Sequence, residues 1–116
     1  MDIRILVLSI AVVITGASFL FAEGWDDEVL RGDANNDGSV TTADYVDIHA
    51  YLYLGGDAPS CMDQADSDDS GEVDNRDIIY ILQYTLNNGP PPPAPFPNCG
   101  TDPTADTLSC VESQCN

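Results

Sequence analysis

The 116-residue sequence contains no lysine, a single histidine and only three arginines, whereas aspartate and glutamate together number 20. The formal net charge at pH 7 is therefore −17. A surface of this sign repels nucleic acids and anionic membranes, so neither is an expected partner. Two classes of protein remain, namely cation-binding proteins and acidic chains that stay solvated and unfolded. The acids are clustered rather than scattered, which favours the first class.

The longest apolar run lies near the start of the chain. Arg4 is followed by the apolar stretch 5–21, and Ala22 then offers a small residue just before Glu23. A charged start, an apolar middle and a small-residue end are typical of a secretory signal peptide, so residues 1–22 are predicted to be removed on export. The alternative is a retained membrane anchor, because about 18 apolar residues can span a bilayer. If the signal peptide is removed, we expect the mature protein to be secreted or located at the cell surface, with no membrane partner.

Residue pairings that enzymes and zinc sites require are missing. His49 has no serine or cysteine partner at a recognisable spacing, so we expect no enzymatic activity. The four cysteines form no CxxC pair, which argues against zinc. In a short exported chain they instead predict two disulfides, for which three pairings are possible. We favour Cys61–Cys99 with Cys110–Cys115, because Cys61 and Cys99 occupy similar places after the two copies of the repeat described next.

An internal repeat with an offset of 33 residues organises the middle of the sequence. The segment that begins at Arg31 aligns with the segment that begins at Gln64. Each copy places an aspartate two residues later, then a glycine, and closes with a second aspartate, at Asp44 and Asp77 respectively. The acidic residues of the chain are therefore concentrated in two equivalent loops.

Each loop matches a twelve-residue calcium loop, in which positions 1, 3, 5, 7, 9 and 12 supply oxygen ligands and position 6 is a glycine. The predicted metal ligands are Asp33, Asn35, Asp37, Ser39, Thr41 and Asp44 in loop one, and Asp66, Asp68, Ser70, Glu72, Asp74 and Asp77 in loop two. Gly38 and Gly71 occupy position 6, where the chain must turn sharply. The sequence predicts two bound Ca²⁺ ions, since such acids would repel one another without metal. Val40 and Val73, at position 8, are predicted to form a short strand contact that couples the loops.

A helix is predicted after each loop. Apolar residues recur at helical spacing at Tyr45, Ile48 and Leu52 in the first copy and at Ile78, Ile81, Leu82 and Leu86 in the second. Gly55-Gly56 and Asn87-Asn88-Gly89 supply stop signals. Helices of about 12 residues are unstable alone, so the two are predicted to pack antiparallel around a shared core. No helical pattern precedes either loop. We therefore expect a small all-α domain built from two loop–helix units.

Duplicated loop–helix units with Asp-x-Asn-x-Asp-Gly and a closing aspartate resemble a type I dockerin domain. The resemblance covers residues 31–89, about half of the chain. The proline-rich, cysteine-bearing tail resembles that of dockerin-repeat proteins from environmental bacteria. The resemblance implies a helical domain with two Ca²⁺ ions and a cohesin-type protein partner. It also implies that the partner contacts positions 10 and 11 of each loop, which here are Thr42, Ala43, Asn75 and Arg76.

The predicted organisation has four parts, namely a signal peptide (1–22), a dockerin-like calcium-binding domain (23–89), a proline-rich connector (90–98) and a cysteine-containing tail (99–116). Two functions fit this organisation. One is a secreted calcium-binding module that mediates extracellular protein–protein interaction, with a cohesin-like or similar partner. The other is a structural subunit that self-associates into an extracellular or cell-surface assembly, stabilised by calcium and disulfides.

Overall fold

A computed structural model describes residues 27–116, so the predicted signal peptide lies outside the described residues. The elements in chain order are β1 (Glu28–Val29), α1 (Thr42–Tyr53), α2 (Met62–Ala65), α3 (Asn75–Leu86) and β2 (Gly100–Thr101). β1 and β2 form a two-stranded antiparallel sheet. Glu28 pairs with Thr101 in this sheet, and Val29 pairs with Gly100. None of the helices in this part of the chain has the length and apolar character needed to cross a bilayer.

The predicted all-α class is wrong, because the fold combines helices with a small antiparallel sheet. The two strands come from opposite ends of the described region, so the tail folds back onto the segment before loop one. Each strand has only two residues and shows no alternating pattern by which a sequence reveals a strand. The single helical turn of α2 is a second difference, since no helix was expected before loop two.

α1 and α3 begin in the same way at equivalent positions. The side chains of Thr41 and Asp74 cap the two helices by accepting hydrogen bonds from backbone N–H groups of the first turn. Asp44 and Asp77, three residues further on, accept hydrogen bonds from the backbone N–H of the cap and complete a capping box. The final residue of each predicted calcium loop therefore also belongs to the first turn of a helix.

The predicted stop signals end both helices. The residue after each C-cap, Gly55 and Asn88, has a left-handed backbone with φ of +73° and +55°. The N–H groups of Gly56 and Gly89 then donate to carbonyl groups of the last turn, at 2.9 and 2.8 Å. These bonds satisfy carbonyls that the helix itself leaves free. Both helices have 12 residues, as the periodicity predicts.

The core lies between α1 and α3. Ile48 and Ile81, which are equivalent in the repeat, are both fully buried. Ala34, Ala65 and Ile78 complete the buried set around Ile48. Burying an isoleucine side chain contributes about 1.5–3 kcal/mol. A core with so few large side chains depends on additional stabilisation, such as metals and disulfides usually give to small domains.

Disulfides join Cys61 to Cys110 and Cys99 to Cys115, so the predicted pairing is wrong. The physical reason is the path of the tail, which runs beside the segment before α2. The amide of Met62 donates to the carbonyl of Ser109 at 2.8 Å, and this contact places Cys110 against Cys61. Two disulfides indicate an oxidising, extracellular setting.

The proline-rich connector is packed against the domain and is not a free spacer. Pro92 and Pro95 are buried, and the carbonyl of Pro95 accepts a hydrogen bond from the amide of Arg31 at 2.8 Å. The ring of Phe96 meets Tyr84 edge-on, with 5.5 Å between ring centroids. The connector thus carries the tail back across the molecule towards the two loops.

Candidate metal centres

The two predicted loops are folded by the same internal hydrogen bonds. In loop one the carboxylate of Asp33 accepts from the backbone N–H groups of positions 5 and 6, at 3.1 and 2.9 Å. In loop two Asp66 accepts from the equivalent N–H groups at 3.0 and 2.9 Å. Gly38 and Gly71, at position 6, have φ of +92° and +90°, which side chains with a β-carbon rarely adopt. The glycines predicted for the sharp turn are therefore required by the observed backbone.

The closing aspartate of each loop ties the start of the loop to the start of the helix. Asp44 accepts hydrogen bonds from the backbone N–H of Asn35 at 3.1 Å and of Thr41 at 2.6 Å. Asp77 accepts from the same two positions of loop two, at 3.2 and 2.8 Å. Each loop is thus wrapped around its first and last carboxylates by main-chain donors.

Each loop brings three carboxylates together. Their ligand oxygens lie within 4.8 Å of one another in the sets Asp33, Asp37 and Asp44, and Asp66, Asp68 and Asp77. The first and last aspartate of each set are fully buried, whereas the middle one is accessible. Among residues 27–116, neither arginine forms a salt bridge with any of these six carboxylates. Neither cluster is therefore paired directly with a basic side chain of this region.

The predicted ligands at positions 3 and 5 that are not part of a cluster lie beside it. The side-chain amide of Asn35 donates to the carboxylate of Asp37 at 3.1 Å. The hydroxyl of Ser70 faces the carboxylate of Asp66 at 3.4 Å. Ser39 and Glu72, at position 7, are exposed, and this position ordinarily contributes its backbone carbonyl.

Position 9 has a structural role in both loops. Thr41 and Asp74 use their side chains as helix caps. Asp74 also pairs with Arg76 at 2.7 Å, and this hydrogen bond lowers the pKa of the Asp74 carboxyl. Asp74 does not belong to the three-carboxylate cluster of loop two. If position 9 also contributes to metal binding, the cap can stay in place only when the metal is reached through another oxygen of the residue or through an intervening water.

The predicted strand contact between Val40 and Val73 is absent from the described part of the chain. Neither valine lies in a strand or in an isolated bridge there. Val73 instead packs against the core cluster around Ile48. Any communication between the loops has to use other contacts.

Burial dominates the electrostatics of both clusters. Desolvation raises the pKa of Asp44 to about 7, although the hydrogen bonds that the carboxyl accepts from the backbone N–H groups of Thr41 and Asn35 lower it. Burial is also the largest cause that raises the pKa of Asp33, Asp66 and Asp77. Repulsion from neighbouring carboxylates adds to each of these shifts. Without a cation, the clusters therefore retain protons at pH values where ordinary aspartates have lost theirs.

The donor set fits a hard divalent cation. The loops offer carboxylate, amide, hydroxyl and main-chain oxygens and contain neither cysteine nor histidine, which is the chemistry that calcium prefers. Asp33, Asp37 and Asp44 would hold the ion in loop one, and Asp66, Asp68 and Asp77 would hold it in loop two. A bound cation would also displace the protons that burial retains.

A third acidic cluster, formed by Asp63, Asp102 and Asp106, was not predicted from the sequence. It lies where α2 meets the tail. Burial, followed by repulsion from Asp106 and Asp102, raises the pKa of Asp63 to about 7. One oxygen each of Asp63 and Asp102 is buried without a hydrogen-bond partner. No local sequence pattern reveals this cluster, because the path of the tail alone brings its members together.

Comparison with family models, curated proteins and solved structures finds no match to this chain. The resemblance to dockerins therefore rests on the repeated loops and helices described above. The geometry of the two loops is the basis for assigning a function.

Proposed function

We propose that this protein is a secreted calcium-binding module in which each of the two loops holds one Ca²⁺ ion. One observation carries the proposal, namely that the same hydrogen bonds organise both loops around three clustered carboxylates, none of which forms a salt bridge with an arginine of residues 27–116. Reproducing this arrangement at an offset of 33 residues requires matching residues at many positions. Simple acidic turns have no such requirement.

Calcium binding would organise the fold as well as the loops. A bound ion supplies two positive charges that offset the repulsion within each cluster. Asp44 and Asp77 belong to both a cluster and the first turn of a helix, so ordering a loop also orders the start of α1 or α3. Binding that occurs only in the folded state stabilises that state. The helices and the core between them should therefore become more stable when calcium is present.

In this proposal the module binds an extracellular protein, and the interaction depends on calcium. A cohesin-type domain is the first candidate for this partner. Val46 on α1 and Ile79 on α3 occupy equivalent positions and are 54% and 49% exposed. Positions 10 and 11 of both loops, at the beginnings of these helices, are exposed as well. Exposed aliphatic side chains at matched places on two metal-ordered helices offer a surface that a protein partner can cover.

Calorimetric titration of the disulfide-bonded protein with Ca²⁺ tests the metal sites directly. We expect two bound ions and a gain of helical circular dichroism on moving from chelator to calcium. Asp37→Ala and Asp68→Ala should each remove one site. Asp47→Ala, at an exposed position of α1 outside both clusters, is the matched control and should keep two. Failure of the unmodified protein to bind calcium would refute the assignment.

Affinity capture with a panel of purified cohesin domains tests the partner. Capture should require calcium and should be lost when Val46 and Ile79 are both replaced by glutamate. Equal capture in calcium and in chelator would contradict the proposal. Sedimentation of the protein alone provides the comparison, because a mass that increases with concentration in calcium would support the self-associating assembly instead.

A further inference from the structure

Arg31 and Gln64 occupy equivalent positions in the two copies of the repeat, two residues before the first aspartate of each loop. Both side chains are fully buried. A buried guanidinium or amide destabilises a protein unless its hydrogen bonds are satisfied. The positions of their hydrogen-bond partners therefore show what these two residues do in the fold.

Arg31, which precedes loop one, binds loop two. Its Nη1 donates to the carbonyl of Asp66, the residue at position 1 of loop two, at 3.0 Å. Its Nη2 lies 3.4 Å from the carboxylate of Asp69, at position 4 of the same loop. The guanidinium thus fixes the start of the loop that lies further along the chain.

Gln64, which precedes loop two, binds loop one in the same way. Its Nε2 donates to the carbonyl of Asp33, at position 1, at 2.9 Å. The same nitrogen donates to the side-chain oxygen of Asn36, at position 4, at 3.1 Å. The two contacts reproduce those of Arg31 in the opposite direction, so the loops are cross-braced by one residue from each copy.

The tail completes the brace beside loop two. The carboxylate of Asp102 accepts a hydrogen bond from Nη2 of Arg31 at 2.7 Å. The hydroxyl of Thr104 donates to the carboxylate of Asp69 at 2.7 Å. The tail therefore contacts both the bracing arginine and the position-4 residue that the arginine reaches.

The tail also completes the brace beside loop one. The hydroxyl of Ser113 donates to Oε1 of Gln64 at 2.8 Å. The amide of Gln114 donates to the side-chain oxygen of Asn36 at 2.7 Å. The Cys99–Cys115 disulfide joins the two ends of the tail segment that makes all four contacts.

The residues held at position 4 share a left-handed backbone conformation. Asn36 and Asp69 have φ of +63° and +57°, in the left-handed region. Asparagine and aspartate adopt this region more readily than other residues with a β-carbon, because their short side chains can form local hydrogen bonds. The contacts from the brace and the tail hold both position-4 side chains in place within loops whose carboxylates cluster.

From these contacts we infer that Arg31 and Gln64 are positioning residues that couple the two metal loops, so that calcium in either loop raises the affinity of the other. The inference rests on the proposed calcium binding. Ordering loop one fixes Asp33. Because Arg31 lies only two residues before Asp33, its backbone is fixed as well, and its side chain is then held against loop two. Ordering loop two acts on Gln64 in the same manner. These side chains replace the strand pairing between loops that the sequence predicts.

The test uses crossed effects in two backgrounds that each keep one working loop. Asp68→Ala leaves loop one, and Asp37→Ala leaves loop two. Adding Gln64→Met should weaken calcium binding by loop one about fivefold or more, since hydrogen bonds to its positions 1 and 4 are lost. Loop two, although adjacent to Gln64 in the sequence, should change less than about twofold. Gln83→Met, an exposed glutamine on α3, is the matched control and should change neither loop.

Arg31→Lys provides the reciprocal measurement, because lysine keeps the charge but cannot form the same set of directed bonds. It should weaken loop two and leave loop one within about twofold. In the protein with both loops intact, the second ion should bind about fivefold more tightly than the single-loop variants indicate, and Gln64→Met should reduce this gain. If Gln64→Met does not fold, Ser113→Ala removes only one contact to Gln64 and should give the same crossed pattern at smaller size.

The possible outcomes separate this inference from the proposed function. An unmodified protein that binds no calcium would refute the proposed function and the coupling with it. An unmodified protein that binds two ions independently would refute the coupling alone. The coupling would also be refuted if Gln64→Met weakened loop two more than loop one, or weakened both loops equally. A general loss of stability would weaken both loops, whereas loss of the brace should weaken chiefly loop one.

Discussion

Replacement of Asp44 by asparagine should have opposite effects with and without calcium. The pKa of Asp44 rises from 3.8 to about 7 in the metal-free fold, chiefly because the carboxyl is buried. A group whose pKa is raised on folding stabilises the fold fully below its unfolded pKa. This contribution is lost as the pH rises through the folded pKa. Asp44 should therefore weaken the metal-free protein progressively between pH 4 and pH 7, and asparagine should remove this dependence.

The change in the free energy of unfolding caused by Asp44→Asn follows from the pKa of Asp44 and from the hydrogen bonds that its carboxyl accepts. At pH 8 the carboxyl disfavours the metal-free fold by up to about 4 kcal/mol, since one pKa unit corresponds to about 1.4 kcal/mol. Asparagine removes this cost but offers one acceptor oxygen to the two N–H groups of Asn35 and Thr41. Leaving one buried N–H without a partner costs about 1–3 kcal/mol. The net gain at pH 8 in chelator should be about 1–3 kcal/mol, and at pH 5 it should be near zero or negative.

Urea unfolding of Asp44→Asn in chelator, at pH 5, 6, 7 and 8, measures this gain. Asp47→Asn, an exposed position on the same helix, is the control and should follow the unmodified protein. In calcium the variant should be less stable than the unmodified protein, because it loses a ligand of loop one and with it one bound ion. An equal loss of stability at pH 5 and pH 8 in chelator would refute the reasoning, since the carboxyl would then be ionised in the metal-free fold.

Calcium titration near pH 6.5 in two buffers of different ionisation enthalpy should reveal proton release, because the ion displaces protons held by the buried carboxyls; equal heats would contradict this. Gly71→Ala, at a φ of +90°, should weaken loop two by roughly five- to thirtyfold in a calcium titration, whereas Gly55→Ala, also at positive φ but outside both loops, should leave it unchanged. Replacing Cys99 and Cys115 together by serine should lower the free energy of unfolding in urea by about 3 kcal/mol, given the sequence separation of 16 residues. Cleavage at acidic residues followed by mass spectrometry of the unreduced peptides should recover the pairs Cys61–Cys110 and Cys99–Cys115.

Local patterns in the sequence predicted the parts of the fold that local forces determine. The two helices end at their predicted stop signals, because the stops at Gly56 and Gly89 act over a few residues. The caps at Thr41 and Asp74 are equally local, but from the sequence both residues were predicted only as metal ligands. The clustering of the first and last carboxylates of each loop was predictable for the same reason. A twelve-residue motif with a glycine at position 6 largely specifies its own backbone.

Contacts made by the tail were not predictable from the sequence. Strands of two residues carry no period, and four cysteines allow three pairings that local sequence does not distinguish. The position of Cys110 beside Cys61 depends on where a long irregular segment packs, as does the cluster of Asp63, Asp102 and Asp106. The contacts of Arg31 and Gln64 were hidden similarly. The repeat aligned the two residues, but only the structure shows that each reaches across to the other loop.

The burial of Arg31 affects how the protein can be digested and detected. Within residues 27–116, trypsin has only Arg31 and Arg76 as cleavage sites. Arg31 has no exposed surface, and Arg76 lies in the first turn of α3, whereas proteases prefer exposed, mobile loops. The folded protein should therefore resist trypsin. After unfolding, the fragments 32–76 and 77–116 would remain joined through Cys61 and Cys110. Tryptic surveys of secreted proteins would under-report such a chain, and a protease specific for acidic residues would be the better reagent.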